Sequence, residues 1–194
     1  SSYDIRPTGN GMVKLNGQSL TSRGICSTER FAEQPSVANC SGFLVGEDLL
    51  VTAGHCIKTT SDCNKYKWVF DYKIDHQGQT EVSVEENAVY GCQEIINTVL
   101  SRSDMNDFAL IRLDRKVTDR RILDYRRKGR ISKGEKLVVI GHPTGLPTKI
   151  ADGATVRGLK SKYFTADLDT YGGNSGSAVF NAATGIIEGI LVRG

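Results

Sequence analysis

Uninterrupted apolar runs, closely spaced cysteine pairs and a strong excess of either charge are all missing from this chain of 194 residues. Without an apolar stretch of about 20 residues, nothing has the length of a membrane-spanning helix. The cysteines Cys26, Cys40, Cys56, Cys63 and Cys92 include no C-x-x-C pair, which argues against a zinc site. A formal net charge of +3 demands neither a nucleic acid nor a membrane surface as partner. The opening Ser1-Ser2-Tyr3-Asp4 lacks the basic start and apolar run of a signal peptide, so an exported protein would have this as a processed form. Repeats and low-complexity tracts are absent too, and so is helical periodicity over any long window.

Many short strand-like runs separated by turns take their place. Ser41-Gly42-Phe43-Leu44-Val45 and Leu49-Leu50-Val51-Thr52 read as a hairpin around Gly46-Glu47-Asp48. Residues 66–72 alternate and are rich in β-formers, 108–113 and 136–141 are apolar runs, and 177–180 and 186–192 flank a turn at 181–185. Such regular spacing favours an all-β barrel or sandwich. The composition shifts between Asp114 and Lys133, where eight Lys and Arg residues gather. A solvated connector between two β units is the expectation, with an exosite for acidic partners as the alternative; Asp114, Asp119 and Asp124 weaken the latter. The expected division is 1–118, a connector at 119–133, and 134–194.

Three segments carry chemistry. Thr52-Ala53-Gly54-His55-Cys56 offers an imidazole beside a cysteine. Asn106-Asp107-Phe108-Ala109-Leu110-Ile111-Arg112-Leu113 places a carboxylate at the head of an apolar strand. Gly172-Gly173-Asn174-Ser175-Gly176-Ser177 presents a hydroxyl in a glycine-rich bend. Serine is a weak nucleophile at neutral pH and needs a base within hydrogen-bond reach, itself oriented by a third group. The other histidines have blander contexts. His76 lies in a polar, turn-like stretch, and His142 lies in the loop Gly141-His142-Pro143-Thr144-Gly145-Leu146-Pro147, expected to edge a cleft, where a structural role outweighs a substrate-adjacent one.

On these motifs, in the order His, Asp, Ser, the chain resembles the trypsin-like (chymotrypsin-fold) serine endopeptidases, most closely their secreted bacterial branch, which includes the glutamyl endopeptidases. The resemblance covers about 37–194. It implies two six-stranded antiparallel β-barrels with the site between them, and neither metal nor cofactor. It gives Ser175 the role of nucleophile, His55 that of general base and then acid, and Asp107 that of holding the second imidazole nitrogen. The bend around Ser175 would aim the backbone N–H groups of Gly173 and Ser175 at one point as an oxyanion hole. The substrate would be a protein or peptide.

The same resemblance places a disulfide between Cys40 and Cys56. Cys63 and Cys92 flank two strand-like runs and are candidates for a second bridge, which leaves Cys26 over. Disulfides would locate the protein outside the cytosol, secreted or periplasmic. The base of the primary specificity pocket lies six residues before the nucleophile, at Asp169. An aspartate there implies cleavage after Arg or Lys, because other side chains leave the carboxylate unpaired. Thr170 and the wall residues Val192, Arg193 and Gly194 complete the expected substrate site. Glutamyl endopeptidases use a histidine on that wall, which Gly189-Ile190-Leu191-Val192-Arg193-Gly194 lacks. That specificity is the alternative, and a non-catalytic protease-like binding or regulatory protein is the rival from another class.

Arg193 departs from the family, where an aromatic often stands, and would favour acidic residues upstream of the cleaved bond or point into solvent. Asn174 departs too, standing where many members have an aspartate that pairs with a freed N-terminal amine, so zymogen activation by that switch is not expected. The family adds a further hairpin strand and a helix beyond the wall strand. The expectation is therefore a second barrel incomplete at its C-terminal end with an open edge. A separate C-terminal fragment joined through Cys26 is one reading of that end.

Overall fold

A computed structural model describes residues 4–193. Ser1, Ser2, Tyr3 and the expected wall residue Gly194 lie outside the described residues. The strands are β1 (Ile5–Gly9), β2 (Met12–Leu15), β3 (Gln18–Ser19), β4 (Pro35–Ser36), β5 (Phe43–Leu44), β6 (Leu49–Thr52), β7 (Lys67–Val69), β8 (Val82–Glu85), β9 (Val89–Leu100), β10 (Asp107–Leu113), β11 (Lys136–Gly141), β12 (Lys149–Leu159), β13 (Phe164–Ala166), β14 (Ala178–Asn181) and β15 (Ile187–Ile190). Among the described residues there is one short α-helix, α1 (Thr60–Lys65), which starts on a capping box between Thr59 and Asp62.

The chain is mostly β and forms two strongly curled antiparallel half-barrels, consistent with the chymotrypsin double-barrel fold. The first contains the sheet β5-β6-β10-β9-β7, and the second the sheet β13-β12-β11-β14-β15. Each sheet has five described strands, where the resemblance implied six per barrel. A third sheet, β1-β2-β8, packs Val13, Leu15, Val82 and Val84 against Tyr72 and Ala88. The N-terminal residues that carried no family signal therefore bury a core of their own.

Strict alternation sets the inner face of β10. Asp107, Ala109, Ile111 and Leu113 are buried, and the residues between them are half-buried. Because side chains on a strand repeat with period two, Asp107 shares the face of the apolar core residues while standing at the strand's open end. Leu44, Leu50, Ile57, Tyr90, Ala109, Ile111 and Leu113 make the first core, and Ile131, Leu137, Val139, Ala154, Val156 and Val179 the second. Phe43, Ala178 and Ile187 form a cluster shared by the two halves, with Val51, Leu123 and Phe180 against it.

The expected open edge of the second half is partly covered. The Arg126 N–H donates to the Ile187 carbonyl at 2.9 Å, and the Ile187 N–H donates to Asp124 at 2.8 Å. Arg126 also forms a bidentate pair with Glu188, whose side chain has no exposed surface. The connector thus supplies backbone partners to β15, a standard way of blunting a sheet edge. Much of the basic charge is neutralised on the protein itself: Arg120 binds Asp71 through two nitrogens, Lys116 pairs with Glu47, and Arg115 pairs with Asp114 and lies over the Tyr90 ring.

Candidate active site

His55 sits in a single 3-10 turn, Gly54–Cys56, directly after β6. Its backbone N–H donates to Asp107 Oδ1 at 2.9 Å, and its Nδ1 lies 2.8 Å from Asp107 Oδ2. One carboxylate therefore fixes both the backbone and the ring. A carboxylate on Nδ1 selects the tautomer with the proton there and leaves Nε2 free to accept. The Asp107 side chain is 3 % exposed against 33 % for His55, so the ring edge is open to the cleft while its partner is enclosed.

Both expected disulfides form, Cys40–Cys56 and Cys63–Cys92, and Cys26 is free and exposed. The ligand atoms of Cys40, Cys56 and His55 lie within 4.8 Å of one another. Because the two sulfurs are bonded to each other, this trio has no thiolate to offer a metal. The first bridge also draws the histidine turn onto the serine segment: the Cys56 sulfur is 3.8 Å from the Ser175 carbonyl oxygen.

The serine segment bends at Gly173 and Gly176, whose φ values of +95° and +88° belong to the left-handed region. A Cβ on Gly173 would approach the His142 carbonyl at 2.6 Å, and one on Gly176 would collide with the Ser41 carbonyl. Glycine is required at both on two counts. Ser175 is half-buried between the buried Asn174 and Gly176. The backbone N–H groups of Gly173 and Ser175 have no acceptor among the described residues, whereas the neighbouring Asn174 N–H donates to Tyr171 and Gly176 N–H to Leu191. Two free donors close in sequence to one serine hydroxyl, one of them on the serine itself, are what an oxyanion site needs. Ser175 Oγ itself makes no hydrogen bond among the described residues, to His55 included; in unliganded sites such contacts are often long and tighten around substrate.

The expected specificity residues are less gathered. Asp169 is exposed and makes no ion pair among the described residues, where the resemblance implied the enclosed base of a pocket. It lies in an irregular segment after β13, so no sheet neighbour encloses it. Thr170 and Val192 are half-buried. Arg193 turns back on the site: its guanidinium lies 3.5 Å from Asp107 Oδ2 and 3.4 Å from the Met105 sulfur. A cavity of about 410 Å³ opens beside His55 and the Cys40–Cys56 bridge, with Trp68, Tyr72 and Ile140 among its walls; none of Asp169, Thr170, Val192 or Arg193 lines it.

Of two further neighbours of the site, Ser41 had no signal in the sequence, whereas His142 lay in a loop expected to edge the cleft. Ser41, read simply as part of a strand, is buried against the serine segment. His142 stacks on Tyr72, with ring centroids 5.4 Å apart, and its Nδ1 meets the Leu146 carbonyl at 3.0 Å. Desolvation holds its pKa below the ordinary histidine value, and Lys149 nearby adds to this against the opposing Leu146 hydrogen bond. Desolvation also lowers Lys149 itself, to about 8. His142 thus serves as a neutral packing element at the cleft edge, and His76 is exposed, with its Nδ1 3.3 Å from the Gln77 carbonyl.

Residues 40–190 match the model of a family described as a trypsin-like peptidase domain. The chain is also 24 % identical over 180 residues to the Sinorhizobium fredii (strain NBRC 101917 / NGR234) protein named "Uncharacterized protein y4fB", with 76 % of this chain and 24 % of that protein covered. The chain therefore spans about a quarter of the length of that relative.

Proposed function

Since the chain belongs to the trypsin-like peptidase domain family, we propose that it is a serine endopeptidase with Ser175 as nucleophile, His55 as general base and acid, and Asp107 as the group that orients the imidazole. The observation that carries this reading is the double grip of Asp107 on His55, at 2.9 and 2.8 Å, together with a serine segment whose Gly173 and Ser175 N–H groups are free among the described residues. Ser175 Oγ attacks the scissile carbonyl while His55 Nε2 takes its proton. The developing oxyanion accepts from the Gly173 and Ser175 N–H groups. His55 then gives the proton to the leaving amine, and water repeats the sequence on the acyl-enzyme. Asp107 keeps its grip on the Nδ1 side of the ring and stabilises the imidazolium.

The two disulfides and the curled double half-barrel are consistent with an extracytoplasmic location, and secretion is part of the proposal. Cleavage after Arg or Lys is the proposed specificity and rests on the charge of Asp169. Its exposure makes that preference weaker and more sensitive to salt than an enclosed carboxylate would give. Cleavage after Glu is the alternative within the same mechanism.

The test is hydrolysis of matched peptide amides ending in Arg, Lys, Glu or Phe, with Ser175→Ala as control. Turnover after Arg or Lys that disappears in the control supports the full reading. Turnover after Glu keeps the mechanism and removes the role of Asp169. An absence of turnover together with no labelling of Ser175 by an irreversible serine-directed inhibitor leaves a protein that binds without cutting.

A further inference from the structure

Ser41 is 4 % exposed and belongs to the first half-barrel, yet every polar group it has is committed to holding something else. Its N–H donates to the Ser175 carbonyl at 2.7 Å. Its hydroxyl donates to the Gly173 carbonyl at 3.2 Å and accepts the His142 N–H at 3.1 Å. Its carbonyl accepts from the buried Thr52 hydroxyl at 2.7 Å. The two carbonyls Ser41 grips lie in the peptides that directly follow the two donor N–H groups of the proposed oxyanion site, those of Gly173 and Ser175. From the other side, the Thr144 N–H donates to the Gly172 carbonyl at 2.5 Å. The loop carrying Thr144 is fixed in turn to the first half by the Val37 and Ala38 N–H groups on the Gly145 carbonyl, at 2.8 and 3.1 Å.

We infer that Ser41 is a positioning residue for the oxyanion site, its hydroxyl holding the carbonyl of the Gly173–Asn174 peptide, the unit that joins the peptide bearing the Gly173 N–H to the peptide bearing the Ser175 N–H, so that the donors on either side of Asn174 are set before substrate arrives. This rests on the reading of Ser175 as the nucleophile. Rotating a peptide plane costs little unless its carbonyl is held, because Gly173 at φ +95° has a wide range of backbone angles open to it. A held carbonyl removes that freedom, and preorganised donors act on the transition state rather than on bound substrate. Asn174 at the centre of the segment carries no charge for an ion pair with a terminal amine, so the clamp supplies from the first half-barrel the order that such a pair would otherwise give.

Two pairs of variants isolate the hydroxyl: Ser41 against Ser41→Ala, and Ser41→Thr against the isosteric Ser41→Val. The expected result is a loss of about 10- to 100-fold in kcat on removing the hydroxyl in each pair, with KM within about threefold, a transition-state signature. Affinity for a peptide boronic acid, which forms the tetrahedral adduct, falls by the factor seen in kcat/KM, while affinity for the product peptide is retained. Val156→Ala, a core change in the second half-barrel, serves as the comparator for stability lost away from the site. If the Ala and Val variants melt earlier but keep their kcat, Ser41 only packs and the inference is overturned. If wild type neither turns over substrate nor forms the boronate adduct, the reading of the site fails instead, and with it the premise. Measuring all variants below their own melting temperatures keeps the comparison valid, and the Thr–Val pair carries the test if Ser41→Ala does not fold.

Discussion

Removing each disulfide in turn separates its contribution to the fold from its contribution to the site. Cys40–Cys56 spans 16 residues and Cys63–Cys92 spans 29. In the chain-entropy account these correspond to about 3.1 and about 3.6 kcal/mol at 25 °C. For a chain of this size 1 kcal/mol moves the melting temperature by roughly 2–4 °C, so each loss is about 6–14 °C, slightly greater for the longer loop. Activity should rank the other way. Cys56 adjoins His55, Cys40 adjoins Ser41, and the Cys56 sulfur touches the Ser175 segment. Cys63 lies in α1 and Cys92 in β9, buried or half-buried in the first core. The assay is calorimetry of Cys40→Ser/Cys56→Ser and Cys63→Ala/Cys92→Ala, with kcat measured about 15 °C below each midpoint. The first double variant should lose about tenfold or more in kcat, and the second should stay within about twofold. Equal losses of kcat, or a larger loss in the second variant, would refute the idea that the shorter bridge aligns the catalytic turn.

Arg193 and His142 give two further expectations. With Arg193 at 3.5 Å from Asp107 and its side chain 42 % exposed, peptides with Glu upstream of the cleaved bond should exceed their Gln counterparts by about two- to fivefold in kcat/KM at low salt. Arg193→Ala should abolish the ratio, as should about 0.5 M salt; a ratio that survives either would remove Arg193 from substrate recognition. His142 has a folded-state pKa below its unfolded value, so below about pH 6.5 the unfolded chain binds the proton more readily. Stability should therefore fall as pH drops through that window and be fully present above it, whereas the depressed carboxylates of Asp62, Glu135 and Asp167 act only below about pH 4.5. Melting temperatures of wild type and His142→Phe between pH 7.5 and 5.5 test this, and an unchanged slope in the variant would sink it.

What could be read from the sequence was what repeats with a short period or sits beside a marker. The hairpin β5–β6 and the strands β10, β11, β14 and β15 are brief apolar or alternating runs bounded by turn residues, and the histidine and serine motifs are contiguous. The two longest strands escaped. In β9 the pairing with β10 shifts register twice, between Leu110 and Ile111 and between Arg112 and Leu113. Each bulge resets which residues face inward, so Val89–Leu100 mixes polar and apolar residues without a stable period. In β12 a shift opposite Leu137/Val139 and the glycines Gly153 and Gly158 do the same. Pro7 disguised β1, although an edge strand tolerates a proline.

The candidate site divides along the same line. His55, Asp107 and Cys56 were legible because the carboxylate sits in phase with a core face and the cysteine adjoins the histidine. Ser41 was not, because its role depends on the approach of two half-barrels rather than on local spacing: its partners Gly173, Ser175 and His142 lie more than 100 residues away. The exposed setting of Asp169 has the same origin. A register count from Ser175 fixes where the residue stands in the chain, but whether a carboxylate is enclosed depends on the walls around it. A preference that rests on an exposed charge should weaken with salt in a way that a closed pocket's would not. The salt dependence of Arg over Phe turnover therefore measures the enclosure of Asp169 directly, on a question where sequence register is silent.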